Sequence, residues 1–104
     1  MIVEKTKNDK TLTVSIEGSL DMHTAPELSK ALEGELEDVD EVCFDMLKAS
    51  YTSSAGLRVL LKTYQVMSEK GGRMRIKNVN EGFYDSLKLS GFVNFLEIER
   101  AYGL

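Results

Sequence analysis

Hydrophobic and polar residues alternate at the start of the chain with the period of a strand. Two short runs, residues 2–6 and 12–18, flank a turn-forming segment at residues 8–10, and in the second run Leu12 and Val14 alternate with threonines. A period of two is typical of a strand with one covered face. The two runs therefore predict an antiparallel hairpin, which we expect to form one edge of a sheet.

A denser apolar run, residues 41–47, predicts the central strand of the sheet. Its apolar residues fall on both alternate faces, with Phe44 on one side and Cys43 and Leu47 on the other. Strands with this pattern are usually covered on both faces, so we expect helices to flank this one. Residues 73–79 predict a further strand, which is parallel to the central strand and joined to it by a helical crossover.

Three segments carry the helical period. Residues 24–36 open with Thr24 and Glu27, which are spaced as a capping box, and residues 81–90 form a third, shorter helix. Between them lies the longest helix, residues 53–70. Its predicted apolar face comprises Leu57, Leu60, Leu61, Tyr64 and Met67.

The start of the longest helix carries two adjacent serines. We expect the Ser53 hydroxyl to accept a hydrogen bond from a free backbone N–H of the first turn, as an N-cap does. Ser54 then lies in the first turn at the positive end of the helix dipole, where added negative charge is tolerated. Arg58, about 100° around the helix from Leu57, is expected to be exposed. A plain helix cap remains an alternative interpretation of the two serines.

These elements predict one α/β domain over residues 1–104. Its mixed sheet has four to five strands, with residues 95–98 as the last, and three to four α-helices pack mainly on one face. Residues 102–104 are expected to fray.

Composition narrows the function. The net charge is −4 and the pI about 5.0, which argues against binding nucleic acid and suits a basic partner surface. The single cysteine, Cys43, and the single histidine, His23, provide neither a disulfide nor a metal site, so we expect no metal or cofactor. No run approaches the roughly 18 apolar residues of a membrane span. We therefore expect a cytoplasmic protein without membrane insertion.

Catalysis is not predicted. A nucleophilic Ser54 would need a Gly-x-Ser-x-Gly turn and a downstream histidine, and the sequence has neither. Gly71 and Gly72 lack the lysine and hydroxyl residue of a phosphate loop.

Several segments resemble one protein family. The stretch SYTSSAGLRVLL, residues 50–61, follows the strand VCFDM, residues 42–46, and resembles the signature of the STAS family, the bacterial anti-sigma factor antagonists. The sequences GSLD and TAPEL within residues 18–28 resemble its second recurring segment. Residues 71–72 and 89–92 resemble its C-terminal part.

The resemblance implies a function. An antagonist of this family binds, when unphosphorylated, an anti-sigma factor that is also a serine kinase, and so releases the sigma factor. Phosphorylation of its serine ends the binding, and a metal-dependent phosphatase restores it. The acceptor position falls on Ser54. Ser53, which stands where many relatives have aspartate, is the second choice, and Thr52 is a weaker one. The free protein is expected to be a monomer.

The same resemblance implies the partner-binding residues, with Asp21 expected close to Ser54. They are Asp21, Thr24, Thr52, Ser53, Ala55, Gly56 and Arg58. The alternative function is that of a STAS scaffold subunit in a stress-sensing or lipid-transport complex, without phosphorylation. Some relatives are thought to bind nucleotides, and this stays open.

Overall fold

Strands and helices alternate along residues 1–101, the residues that the computed structural model describes. The strands are β1 (Ile2–Asn8), β2 (Thr11–Leu20), β3 (Glu41–Thr52), β4 (Arg73–Val79) and β5 (Glu97–Arg100). The helices are α1 (Ala25–Leu32), α2 (Ser54–Glu69) and α3 (Glu81–Leu89), with a single 3-10 turn at Phe92–Asn94. The expected fraying of residues 102–104 lies outside the described residues.

The five described strands form one sheet in the order β1-β2-β3-β4-β5. β1 pairs antiparallel with β2, and the pairs β2–β3, β3–β4 and β4–β5 are parallel. The hairpin therefore forms an edge and β3 lies at the centre. Both predictions are confirmed.

The helices cover only one face of the sheet. In register across β2, β3 and β4, Val14, Phe44 and Ile76 are fully buried in the core that the helices share. Their neighbours toward the other face are polar on both sides of the buried Cys43. The predicted fold class is confirmed, but the expectation that β3 is covered on both sides is wrong.

Two register shifts lengthen β3 relative to β2 and change which of its later residues face the core. Opposite β2, the pairing shifts between Ser15 and Glu17 and again between Gly18 and Ser19, and each shift adds one residue to β3. On the face that the helices cover, the buried positions therefore run 42, 44, 46, 49 and 52. Leu47 lies on the uncovered face, with 54% of its surface exposed. The bulged strand also continues to Thr52, five residues past its predicted end.

The helices differ from expectation in length and face. α1 ends at Leu32, not at residue 36, because Gly34 adopts a left-handed φ of 74°. In α2 the fully buried positions are Gly56, Leu60, Thr63 and Met67. The buried face is therefore centred on Leu60, and Leu57 and Leu61 flank it half-buried.

The C-terminal end of α2 is closed twice. Gly71, with a φ of 73°, donates its N–H to the Ser68 carbonyl at 3.1 Å, and Gly72 donates to Met67 at 2.7 Å, the two bonds of a Schellman motif. The Lys70 ammonium also donates to three carbonyls of the α1–β3 loop. These belong to Leu36, Glu37 and Val39, at 2.7, 2.9 and 2.8 Å.

The last strand lies two residues later than predicted. Phe95 belongs to the segment after the 3-10 turn, and its ring packs on Tyr64 at a centroid distance of 4.9 Å and on Phe92 at 5.5 Å. The N–H groups of Phe95 and Leu96 both donate to the Phe92 carbonyl, at 3.2 and 2.9 Å, so these residues belong to the turn and β5 begins only at Glu97.

The burial of α2 yields a stability prediction. Leu60→Ala should lower the free energy of unfolding by about 2 to 5 kcal/mol, because Leu60 is fully buried in the core. Lys62→Ala, on the exposed side of the same helix, should change it by less than about 0.5 kcal/mol. Urea unfolding followed by circular dichroism measures both, and equal losses would contradict the assigned face.

Candidate functional site

The start of α2 sits directly against the ends of β2 and β3. The second register shift places Leu20 opposite Thr52, and the Ser53 N–H donates to the Leu20 carbonyl at 3.0 Å. The chain then turns straight into the helix. This pairing holds the two serines at the C-terminal ends of β2 and β3.

Gly56 makes the close approach of helix and strands feasible. A Cβ atom at this position would lie 2.5 Å from Thr52 Oγ1, 2.6 Å from Leu20 Cγ and 2.7 Å from the Leu20 carbonyl oxygen. No real side chain tolerates such distances. Glycine is therefore required here for space, not for its backbone freedom.

The two serines have opposite surroundings. Ser53 is the N-cap by backbone conformation, but its hydroxyl makes no cap hydrogen bond, and its Oγ is buried without a partner among residues 1–101. The predicted Ser53 cap bond is therefore wrong, because the pairing with Leu20 holds the side chain against the interior. Ser54 is the first helical residue and is exposed.

The loop between β2 and α1 is organised by Asp21. Its Oδ1 accepts the backbone N–H of His23 at 2.9 Å and of Thr24 at 3.1 Å. Thr24 Oγ1 accepts the Asp21 N–H at 2.9 Å and donates to the Ser19 carbonyl at 2.8 Å. The Thr24 side chain makes no cap bond to α1, so the predicted capping box with Glu27 is wrong.

These bonds also set the charge state of Asp21. The N–H of His23 above all, with Thr24, lowers the pKa of its carboxyl below the usual value. A depressed folded-state pKa stabilises the loop at pH values above the ordinary carboxyl pKa, and this contribution is lost as the pH falls through the lowered value. The carboxylate is therefore committed to its own loop at neutral pH.

A shallow depression of about 700 Å³ lies between α1 and α2, beside the serines. Met22, with 70% of its surface exposed, borders it together with Ala55, Arg58, Val59 and Lys62. Met22, Val59 and Lys62 are not among the predicted partner-binding residues. A large apolar residue in a polar loop was the available signal for Met22.

The structure places the predicted phosphate acceptor, Ser54, and the predicted partner-binding residues in three different environments. Ser54 and Arg58 are exposed, whereas Thr52 and Gly56 are buried inside the fold. The half-buried residues are Asp21, Thr24, Ser53 and Ala55. Only part of the predicted set is therefore accessible at the surface.

Among residues 1–101, no group of three or more His, Cys, Asp or Glu side chains is arranged to hold a metal ion. No helix in this range combines the length and the apolar character needed to cross a membrane.

Comparison with known proteins identifies the family. The family model for the STAS domain matches residues 3–103. This chain belongs to the STAS domain family. Among curated relatives, the anti-sigma-B factor antagonist of Bacillus subtilis (strain 168) is 25% identical over 96 residues, which cover 92% of this chain and 88% of the relative.

Solved structures share the STAS fold with this chain. An anti-sigma factor antagonist from Mycobacterium paratuberculosis has a TM-score of 0.84 at 22% identity, covering 94% of this chain and 84% of that chain. The Bacillus protein SpoIIAA has a TM-score of 0.81 in its unphosphorylated form and 0.75 in its phosphorylated form. Both forms are 15% identical and cover 93% of this chain, which spans 87% and 90% of them. At these identities the likeness establishes the fold alone.

The glycine contact can be tested in this STAS domain. Gly56→Ala should lower the free energy of unfolding by about 1 to 3 kcal/mol, because α2 must move away from the strands. Gly82→Ala is the matched control, since its Cβ would meet only Asn80 Oδ1, at an ordinary 3.6 Å. There alanine should stabilise α3 by up to about 1 kcal/mol. A loss at Gly82 as large as at Gly56 in urea titrations would refute the role of close contact.

The unpaired Ser53 hydroxyl gives a second prediction. Ser53→Ala should leave stability unchanged or raise it by up to about 1 kcal/mol, because a buried hydroxyl without a partner is removed. Asn80→Ala should cost about 0.5 to 2 kcal/mol, because the Asn80 side chain accepts the Phe83 N–H at 2.8 Å and does cap its helix. Thermal and urea unfolding measure both variants, and a loss of similar size at Ser53 would restore the cap interpretation.

Proposed function

We propose that this chain is an anti-sigma factor antagonist controlled by phosphorylation of Ser54. The observation that carries the proposal is an exposed serine at the start of α2 in a STAS domain whose curated Bacillus relative, matched over 92% of this chain, is named an anti-sigma-B factor antagonist. The unphosphorylated chain binds an anti-sigma factor and so releases the sigma factor. The binding face comprises the exposed first turns of α2 and the β2–α1 loop.

Accessibility favours Ser54 over Ser53 as the acceptor. A kinase must bring its catalytic groups and the γ-phosphate of ATP to the hydroxyl. Ser54 is exposed, whereas the Ser53 Oγ is buried. In the reaction the γ-phosphoryl group moves from ATP to Ser54 Oγ, the hydroxyl proton is removed by a base, and ADP leaves.

Phosphorylation of Ser54 does not destabilise the folded chain. Ser54 lies in the first turn of a 16-residue helix whose first turn holds no acidic residue. The positive end of the helix dipole and the free N–H groups of this turn favour a negative group. Phosphorylation therefore leaves the domain folded.

Binding to the anti-sigma factor, unlike the fold, is weakened by the phosphate. A phosphate adds about −1.5 to −2 charges at neutral pH. Within a contact face it meets either an unpaired desolvated environment or a like charge, and leaving a charge unpaired in an interface typically costs about 2 to 5 kcal/mol. One modification thus separates the partners without changing the fold.

The proposal names three kinds of protein around this chain. The anti-sigma factor is itself the serine kinase, and a metal-dependent serine phosphatase removes the phosphate. The net charge of −4 suits a partner that is basic around the contact but not at the point that faces Ser54.

Substitutions at the two serines test the proposal. Ser54→Ala should keep its affinity for the anti-sigma factor and resist phosphorylation, because the acceptor oxygen is gone. Ser54→Asp should bind at least about tenfold more weakly, because it places a charge in the contact face. Ser53→Ala is the control and should remain both a binder and a substrate. Calorimetric titration and phosphopeptide mapping by mass spectrometry, after incubation with the kinase and ATP, give the two readouts.

Two outcomes would overturn the proposal. Phosphate on Ser53, with Ser54→Ala still labelled, would move the switch to the neighbouring residue. Absence of label from both serines, together with stable binding to scaffold or transporter subunits, would instead assign the chain to the scaffold class.

A further inference from the structure

Ser54 and Arg58 lie one helical turn apart on the exposed side of α2. Ser54 is the first residue of the helix and Arg58 follows four residues later, and both are exposed. Side chains at positions i and i+4 are neighbours on a helix surface, with Cβ atoms about 5 to 6 Å apart. A group attached to Ser54 Oγ is therefore within reach of the Arg58 guanidinium.

Arg58 differs from Arg73 and Arg75 because it has no ion-pair partner among residues 1–101. Arg73 pairs with Glu97 and Arg75 with Glu41. Within residues 1–101, Arg58 forms neither an ion pair nor a side-chain hydrogen bond. Its guanidinium is available to an anion.

The carboxylates around the depression do not compete strongly for Arg58. The first turn of α2 has no acidic residue, and Asp21 is occupied by the N–H groups of its own loop. On the facing side, α1 contributes Lys30 and Glu33 to the same depression, with opposite charges. The remaining cation of α2 there is Lys62, one turn beyond Arg58 and two turns from Ser54.

We propose that Arg58 is the phosphate-binding residue of the phosphorylated chain, and that its guanidinium donates hydrogen bonds to a phosphomonoester on Ser54. This rests on the proposed function only for Ser54 as acceptor. The planar guanidinium matches phosphate oxygens in a bidentate arrangement. The order also suits a helix, because an anion N-terminal to a cation at i, i+4 is the more favourable arrangement.

The capture has two effects on the binding face. It stabilises the phosphorylated helix end from within the chain, and it removes the Arg58 guanidinium from contact with an acidic group of a partner. The modified surface thus gains an anion and loses a free cation in the same step.

Phosphorus NMR of a chain carrying phosphoserine at position 54, introduced during translation, tests the capture without a kinase. Arg58→Gln should raise the second pKa of the phosphate by about 0.2 to 0.7 of a unit, the size expected when an exposed ion pair is lost. Arg58→Lys should recover part of this shift. Lys62→Gln removes the same charge from the same helix and should change the pKa by less than about 0.1 of a unit. The Arg58 Nε–H resonance should move as the phosphate titrates.

Equal pKa shifts for Arg58→Gln and Lys62→Gln would overturn the proposal, because they would indicate a general field and not a contact. An unchanged pKa in Arg58→Gln would overturn it as well. These results are independent of whether a kinase modifies Ser54, since the phosphoserine is encoded. Failure of the proposed function would appear only in the kinase and binding assays.

Discussion

The start of α2 packs directly on the ends of β2 and β3 at Gly56, which brings no side chain of its own into the contact. Gly56 touches Thr52 and Leu20, and the Ser53 N–H pairs with the Leu20 carbonyl. These contacts fix where the helix begins and in which direction its first N–H groups point. The exposure of Ser54, the burial of the Ser53 hydroxyl and the position of Arg58 one turn later all follow from that placement.

The contact itself depends on the two register shifts between β2 and β3. Each shift adds a residue to β3, so the strand reaches Thr52, which pairs with Leu20 where both strands end. Asn80 then links this extension to α3, donating to the carbonyls of Ala49 and Ser50 while capping its own helix. Local irregularity in one strand pair thus positions both the serines and the helix that follows the next strand.

Much of the fold could be predicted because it follows from periodicity. Each correctly predicted element carries several apolar residues at a regular period. These elements are the hairpin, the central strand, the strand at residues 73–79 and the helix around Leu60. The errors arose where one residue decided the outcome. Leu47 looked buried because the apolar pattern of one strand does not show whether its second face is covered. The two caps failed because the Thr24 hydroxyl bonds to the Ser19 carbonyl and the Ser53 hydroxyl is buried without a partner among residues 1–101, and neither outcome follows from the local pattern.

The candidate site was predictable to the same degree and for the same reason. The serines and Arg58 could be placed because helix geometry is local. The depression beside them could not, because it forms only when Met22 and α1 pack beside α2.

Both ends of α2 are fixed, one by the glycine contact and the other by the Schellman motif and the Lys70 ammonium on three carbonyls. Contacts at both ends oppose sliding and tilting of the helix, so a group added to Ser54 is not expected to change the shape of the chain. Under the proposed switch, phosphorylation changes the charge of the binding face and not the shape of the chain. The rate of the switch is therefore set by the kinase and the phosphatase, with no delay for rearrangement of the chain.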